Sequence, residues 1–244
     1  CSYGVRPLAE DAYTMSLEEV YAEADAARHS PTREFHIVGG LHPKLPLSYY
    51  TDMIRGLKER HPHVHVKALT AVEIAHLARI EGVTTKDVIR ELKDAGLDAM
   101  PGGGAEVFSP AVRSTIADRK LAADEWLQVH REAHEMAIPT NCTLLYGHVE
   151  SSADRVDHML MLRDLQDETH GFSTFIPLAW HPDNTALGRE MGVEGHRTGG
   201  LDDLKALAVG RILLDNIPHI KTHWIMVTTK VSQIALSFGV DDLE

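Results

Sequence analysis

The chain has 244 residues, 43% of them hydrophobic and 25% charged, with no low-complexity tract, a length and balance that suit one large globular domain. A net charge of −12 without a basic block argues against sequence-independent binding to nucleic acid, which needs Lys and Arg to displace counterions. Two cysteines, Cys1 and Cys142, are too few for a disulfide framework; no apolar run approaches the ~20 residues that span a bilayer, no leader-like pattern opens the sequence, and the chain reads as soluble and cytoplasmic.

In chain order, Ser16 and Glu19 make a capping box before LEEVYAEADAA and predict a first helix from about residue 17. Phe35 to Val38 is a short apolar run, read as a strand and followed by GGLHP. Ser48 is placed to cap YYTDMIRGLKER, where Met53, Ile54 and Leu57 share a helical face. Val64 to Leu69 is a second strand, followed by TAVE. Thr85 precedes a helix with Val88, Ile89 and Leu92 on one side and Gly96 as its stop. Leu97 to Met100 is a third strand, followed by PGGGAE, and Ser109-Pro110 then reads as a cap with proline at the first helical position. After a long helix around Trp126 come Thr143 to Tyr146, followed by GHVE, and a helix ending before Gly171. Phe172 to Leu178, followed by AWHP, and Trp224 to Val227 complete six strands.

Strands alternating with helices imply a parallel sheet, because parallel neighbours need crossover connections. Neither G-x-G-x-x-G nor G-x-x-x-x-G-K is present to indicate a nucleotide-binding open sheet. The special residues fall just after the strands, where a β/α barrel builds its catalytic face. The fold class is therefore α/β, a partial or near-complete (β/α) TIM-type barrel. The first helix has no strand before it, so a first strand is expected upstream. Residues 1–244 then form a single barrel domain, incomplete at the N-terminus and at the C-terminus.

Several residues on these segments invite chemistry. Gly39 and Gly40 let backbone approach a ligand, or form a plain tight turn. PGGGAE exposes backbone polar groups beside Glu106, a carboxylate able to accept from hydroxyls or an ammonium group; the bland alternative is a flexible loop. Glu73 and Glu150 occupy matching strand-end positions, where a single carboxylate is usually a surface group. His42, His148 and His181 also follow strand ends and could ligate zinc. Against that, the His63 and His65 pair sits at a strand start and no H-E-x-x-H helix is present. Met159, Leu160, Met161 and Leu162 read as helix packing, Trp126, Trp180 and Trp224 as core, and Cys142 as a small core residue. Cys1 admits three readings: a processed N-terminal nucleophile, an ordinary residue, or one ligand of a metal site whose partners lie upstream. The barrel reading disfavours the first, which usually belongs to layered sandwiches.

Taken in order, CSYGV, HIVGGLHP, ALTAVEI, MPGGGAEVF, TNCTLLYGHVES and FSTFIPLAWHPDNT resemble the radical SAM enzymes of menaquinone biosynthesis across almost the whole chain. CSY matches the third cysteine of that family's C-x-x-x-C-x-x-C loop and the two residues after it, so the resemblance implies that Cys1 is a thiolate ligand of a [4Fe-4S] cluster. It places S-adenosyl-L-methionine on the remaining iron, with Gly39 and Gly40 beside the methionine amino group. Glu106 would lie near the ribose or amino group and Lys120 near the methionine carboxylate. Gly147 and Glu150 would lie near the adenine, which the backbone of Ile176, Pro177 and Leu178 would edge. Glu73 and His42 would face the same cavity, and Arg113, His42, His148 and His181 are candidate donors to the substrate's carboxylates. The implied partners are a small-molecule substrate and an electron donor such as flavodoxin or ferredoxin, with no nucleic acid and no membrane. Two family reactions fit: addition of a 5′-deoxyadenosyl radical to the enol ether of 3-[(1-carboxyvinyl)oxy]benzoate, favoured by FIPLAWHP, and cyclisation of dehypoxanthinyl futalosine. A histidine-ligated barrel metallohydrolase is the reading from another class. A piece without the first strand and two cysteines is expected to be inactive by itself.

Overall fold

The computed structural model describes residues 13–118, 120–193, 195 and 198–244; Cys1 lies outside them. Helix α1 (Leu17–Ala26) starts where Ser16 Oγ accepts the Glu19 amide and Glu19 accepts the Ser16 amide in return. Two otherwise orphaned N–H groups are satisfied together. β1 (Glu34–Ile37), α2 (Leu47–Arg60), β2 (His65–Ala68), α3 (Ala71–Glu81) and α4 (Thr85–Asp94) follow. Helix α2 begins one residue before Ser48, behind an N-cap Pro46 that makes no side-chain bond. Thr84, not Thr85, caps α4, because Asp87 lies three positions on from Thr84 and completes a capping box.

The predicted third strand contributes two parallel bridges, Lys67 to Ala99 and Met100 to Thr140. Then come α5 (Pro110–Ile116), α6 (Ala123–Glu135), β3 (Thr140–Tyr146), α7 (Ser152–Thr169) and β4 (Phe172–Ala179). After them lie α8 (Ala186–Met191), α9 (Gly200–Leu213), β5 (His219–Thr222), α10 (Trp224–Val227), α11 (Thr229–Ala235) and β6 (Asp242–Leu243). Trp224 to Val227, expected to be a strand, is thus helix α10, and the strand lies just before it. An apolar-run criterion misses β5 because Ile220 is its only aliphatic residue. Its signature is alternation instead: Ile220 and Thr222 are buried, His219 is exposed and Lys221 half-buried. Trp224 is accordingly 47% exposed, not core, while Trp126 is fully buried.

Every pairing is parallel and follows chain order, β1 to β2, across the two bridges, then β3 to β4 to β5 to β6. With helices between successive strands, this is the winding of a TIM-type barrel. Register assigns the faces. Cys142, Leu144 and Tyr146 pair with Phe175, Pro177 and Ala179, and Phe175 packs beneath Gly210 of α9, so this set faces the helices. Asn141, Thr143 and Leu145, paired with Thr174, Ile176 and Leu178, face the other way, toward the barrel interior. Among the described residues no helix is long and apolar enough to cross a membrane.

The core beneath α6 and α7 holds three histidines. His158 Nδ1 accepts the Phe108 amide at 3.2 Å while Nε2 donates to the Thr143 carbonyl at 2.9 Å, an arrangement that only the neutral ring makes. His130 Nδ1 and His134 Nε2 both meet Thr140 Oγ1 at 2.8 Å, so the hydroxyl donates to one ring and accepts from the other. Burial holds His130 well below the ordinary histidine range, His134 down to about 4 and His158 down to about 3.

A depressed folded pKa means that the unfolded chain takes up the proton first. This contribution to stability is complete above about pH 6.5 and is lost as pH falls toward the folded values. Urea unfolding should therefore show stability declining between pH 6.5 and 4, by up to ~1.4 kcal/mol per pH unit for each histidine. His134→Asn should flatten that slope, and an unchanged slope would contradict the assignment.

Candidate functional site

Parallel strands bring their carboxyl ends to one edge, and the segments that follow them touch in series. After β1, the Gly39 amide donates to Glu73 Oε1 at 2.9 Å. Glu73 also accepts the Thr70 amide at 2.7 Å and the Thr70 hydroxyl at 2.8 Å, closing a capping box on α3. Thr70 Cγ2 in turn lies against Gly103. At Gly102 a Cβ would sit 2.5 Å from the Asn141 carbonyl, so only glycine lets this loop lie on β3. Thr143 Oγ1 donates to the Gly102 carbonyl at 2.7 Å, and the Leu145 amide to that of Glu106 at 2.9 Å. Past β4, the Trp180 amide returns to the Tyr146 carbonyl at 2.8 Å, and His181 Nε2 donates to the Met226 carbonyl at 3.0 Å.

Glu106, expected near the ribose or amino group, and Lys120, expected near the methionine carboxylate, form an ion pair. Glu106 is a non-glycine residue at φ +48°, a strained conformation that clusters at functional sites. Lys120 comes to it across helix α5, and both side chains keep partial solvent exposure. Gly40 has open space where a Cβ would stand. The ladder from β4 to β5 ends at Phe175, so beyond it Ile176, Pro177 and Leu178 are paired only with β3. Proline, with no N–H to give, is tolerated at such a half-free position. Acceptor, donor, open glycine and half-free backbone fit the polar ends and the flat base of S-adenosylmethionine.

Glu150 differs from the other carboxylates because its side chain has no solvent exposure. It accepts the Gly147 amide at 2.6 Å, the His148 amide at 2.8 Å and Arg155 Nε at 2.8 Å, and His148 Nδ1 lies 3.0 Å away. Burial alone would raise its pKa; the hydrogen bonds from His148 and the Gly147 amide reverse that and hold it at about 2. Glu73, by contrast, is pushed up by burial despite its bonds from Thr70 and Gly39. Gly147, at φ +92°, has Thr198 Cγ2 2.2 Å from where a Cβ would be.

The remaining predicted residues separate by what their side chains already hold. Arg113 is buried, and its guanidinium donates to the carbonyls of Gly104, Ala105, Val107 and Leu121, so it braces the glycine loop from beneath. His42 Nδ1 accepts the amides of Lys44 and Leu45, His148 Nε2 donates to the Leu145 carbonyl, and His181 is tied to Met226. These rings do not converge, and among the described residues no three His, Cys, Asp or Glu side chains form a group that could hold a metal ion. Burial pushes the Cys142 thiol well up, which suits a core residue and not a thiolate ligand. Sequence reasoning passed over Arg155, Asp202 and Tyr146. Their signal was the Glu150 and Arg155 spacing, five apart across a helix start, with two acids opening a later helix.

Residues 1–162 match the model of the Radical SAM superfamily, and residues 169–244 that of the CofH/MqnC C-terminal region. The chain belongs to the radical SAM superfamily, enzymes that use a [4Fe-4S] cluster and S-adenosylmethionine. Over all 244 residues it is 49% identical to an aminodeoxyfutalosine synthase of Thermus thermophilus, spanning 65% of that protein. It is 40% identical to a 5-amino-6-(D-ribitylamino)uracil–L-tyrosine 4-hydroxyphenyl transferase of Methanopyrus kandleri, spanning 66% of it. The crystal structure of a methylornithine synthase superposes with a TM-score of 0.70 at 13% identity, covering 95% of this chain and 62% of that one, a likeness of fold alone.

Since Glu73 joins the β1 and β2 rim segments, Glu73→Ala should leave the Thr70 and Gly39 amides without their acceptor. The expected cost is about 1–3 kcal/mol in chemical denaturation. A loss below ~0.5 kcal/mol would mean that water replaces the carboxylate freely.

Proposed function

We propose that residues 1–244 form the barrel domain of an aminodeoxyfutalosine synthase. It would join the adenosyl carbon of S-adenosylmethionine to 3-[(1-carboxyvinyl)oxy]benzoate, the C5′–S bond breaking with release of methionine and carbon dioxide being lost, giving 6-amino-6-deoxyfutalosine. The observation that carries this reading is the 49% identity to the Thermus synthase along the whole chain, against 40% to the archaeal tyrosine-using transferase. When bound, the cluster and S-adenosylmethionine supply a 5′-deoxyadenosyl radical. The chain's own part is to bind and aim. Glu106 accepts from the ribose hydroxyls or the methionine ammonium, and Lys120 donates to the methionine carboxylate. The half-free edge of Ile176, Pro177 and Leu178 receives the adenine, and Gly39 and Gly40 leave room for the methionine end. Cys1 supplies one thiolate to the cluster. His42 and His181 stand on the same rim as polar neighbours of the substrate, the enclosed His148 supports the turn behind them, and Glu73 sets the β1 segment beside them. A flavodoxin- or ferredoxin-type donor would reduce the cluster, in the cytoplasm.

In the full-length enzyme, reduced anaerobically, carbon label from the adenosyl C5′ should appear covalently in the product, with carbon dioxide released in step. Label found only in free 5′-deoxyadenosine when the enol-ether benzoate is supplied would overturn the synthase reading. Glu106→Ala should weaken S-adenosylmethionine binding by about 1.5–3 kcal/mol, while the exposed Glu59→Ala leaves it unchanged.

A further inference from the structure

Arg155 lies in the first turns of α7, yet its contacts run to two other parts of the rim. Its Nε and one terminal nitrogen reach Glu150 Oε1 at 2.8 and 2.7 Å. The terminal nitrogens also grip both oxygens of Asp202, in the first turn of α9, at 3.1 and 3.3 Å. The guanidinium lies 5.2 Å from the ring centre of Tyr146, the last residue of β3. The Tyr146 hydroxyl donates to Asp203 Oδ1 at 2.8 Å, so a second bond ties the end of β3 to the start of α9. Thr198, two residues before α9, packs on Gly147. Burial pulls the Arg155 pKa down, but Asp202 and Glu150 hold it above its ordinary value.

This network has a consequence for Glu150. The Gly147 and His148 amides are fixed by a carboxylate that is itself fixed by Arg155. The other half of the guanidinium is held by α9, the helix that closes the long segment after β4. One planar, five-donor group thus sets two rim segments against each other, which a lysine point charge could not do.

We propose that Arg155, anchored by Asp202, is a positioning residue that holds the Gly147–Glu150 turn in the shape that receives the adenine side of S-adenosylmethionine. Its link to the cofactor rests on the function proposed above, whereas its hold on the turn does not. Asp202 acts through Arg155, so its removal should matter only while the arginine is present.

Hydrogen exchange in the full-length protein reads the hold directly. In Asp202→Asn the Gly147 and His148 amides should exchange about three- to tenfold faster, and in Arg155→Met faster still, with Arg155→Lys between wild type and Arg155→Met. The double variant should match Arg155→Met alone. Unchanged exchange at these two amides in Asp202→Asn would overturn the proposal. The second reading is the dissociation constant for S-adenosylmethionine, expected to rise about three- to tenfold in Asp202→Asn with kcat at saturation within about twofold of wild type. Faster exchange with wild-type affinity, or a melting temperature that falls while both readings stay put, would make the network purely structural and overturn the positioning role. A wild-type enzyme that fails to bind S-adenosylmethionine would instead overturn the function proposed above, and the exchange result would still decide the hold on the turn.

Discussion

Parallel strand pairing is the constraint on which the rest depends. Each strand must be followed by a crossover before its neighbour can pair, so six successive segments leave the sheet at the same edge. Among the described residues those segments meet neighbour by neighbour: Gly39 with Glu73, Thr70 with Gly103, Glu106 with Leu145, Tyr146 with Trp180 and His181 with Met226. The rim is thereby built from backbone amides and carbonyls more than from side chains. A site assembled in this way is stiff, because moving one segment breaks a bond to the next.

Much of this could be read from the residues. The capping box at Ser16 announced the first helix and PGGGAE stood out as a loop that exposes its backbone, whereas the box at Thr70 and the seat of Gly102 on Asn141 went unread. Strands with continuous apolar runs were legible, since both faces of β3 and β4 are covered. β5 was not legible, because Lys221, paired with Asp242 and Glu244, stands between its two buried residues Ile220 and Thr222. A strand that alternates buried and charged residues lacks the hydrophobic run that would reveal it. The adjacent WIMV stretch supplied such a run and drew the assignment five residues downstream.

The site residues were legible as positions but not as roles. Glu73, Glu106 and Glu150 look alike in sequence, each an acid shortly after a strand. The structure separates them by what surrounds the carboxylate. Glu73 is a helix cap whose pKa burial raises, Glu106 pairs with a lysine near solvent, and Glu150 is enclosed by donors that hold it ionised. Of the three, Glu106 is the one that pairs with a lysine while its side chain keeps partial solvent exposure. A spacing rule cannot make that distinction, because it depends on which amides the folded loop turns inward.

The function proposed above asks a chain of net charge −12 to hold an anionic small molecule. Its buried and half-buried cations are committed internally: Arg113 to four carbonyls, Arg155 to Glu150 and Asp202, Lys67 to Glu34, and Lys221 to Asp242 and Glu244. Each commitment neutralises a local acid or carbonyl array and leaves the surrounding field weak. Electrostatic attraction over distance therefore contributes little, and screening at physiological salt shortens it to about 8 Å. On that proposal affinity comes from contact, through Lys120 released from Glu106 and through peptide groups facing the barrel interior. Groups of that kind act only when a ligand reaches hydrogen-bond distance. A rim that works by contact needs its turns held to a fraction of an ångström, which is why so many of its charged side chains face other parts of the protein instead of the cavity.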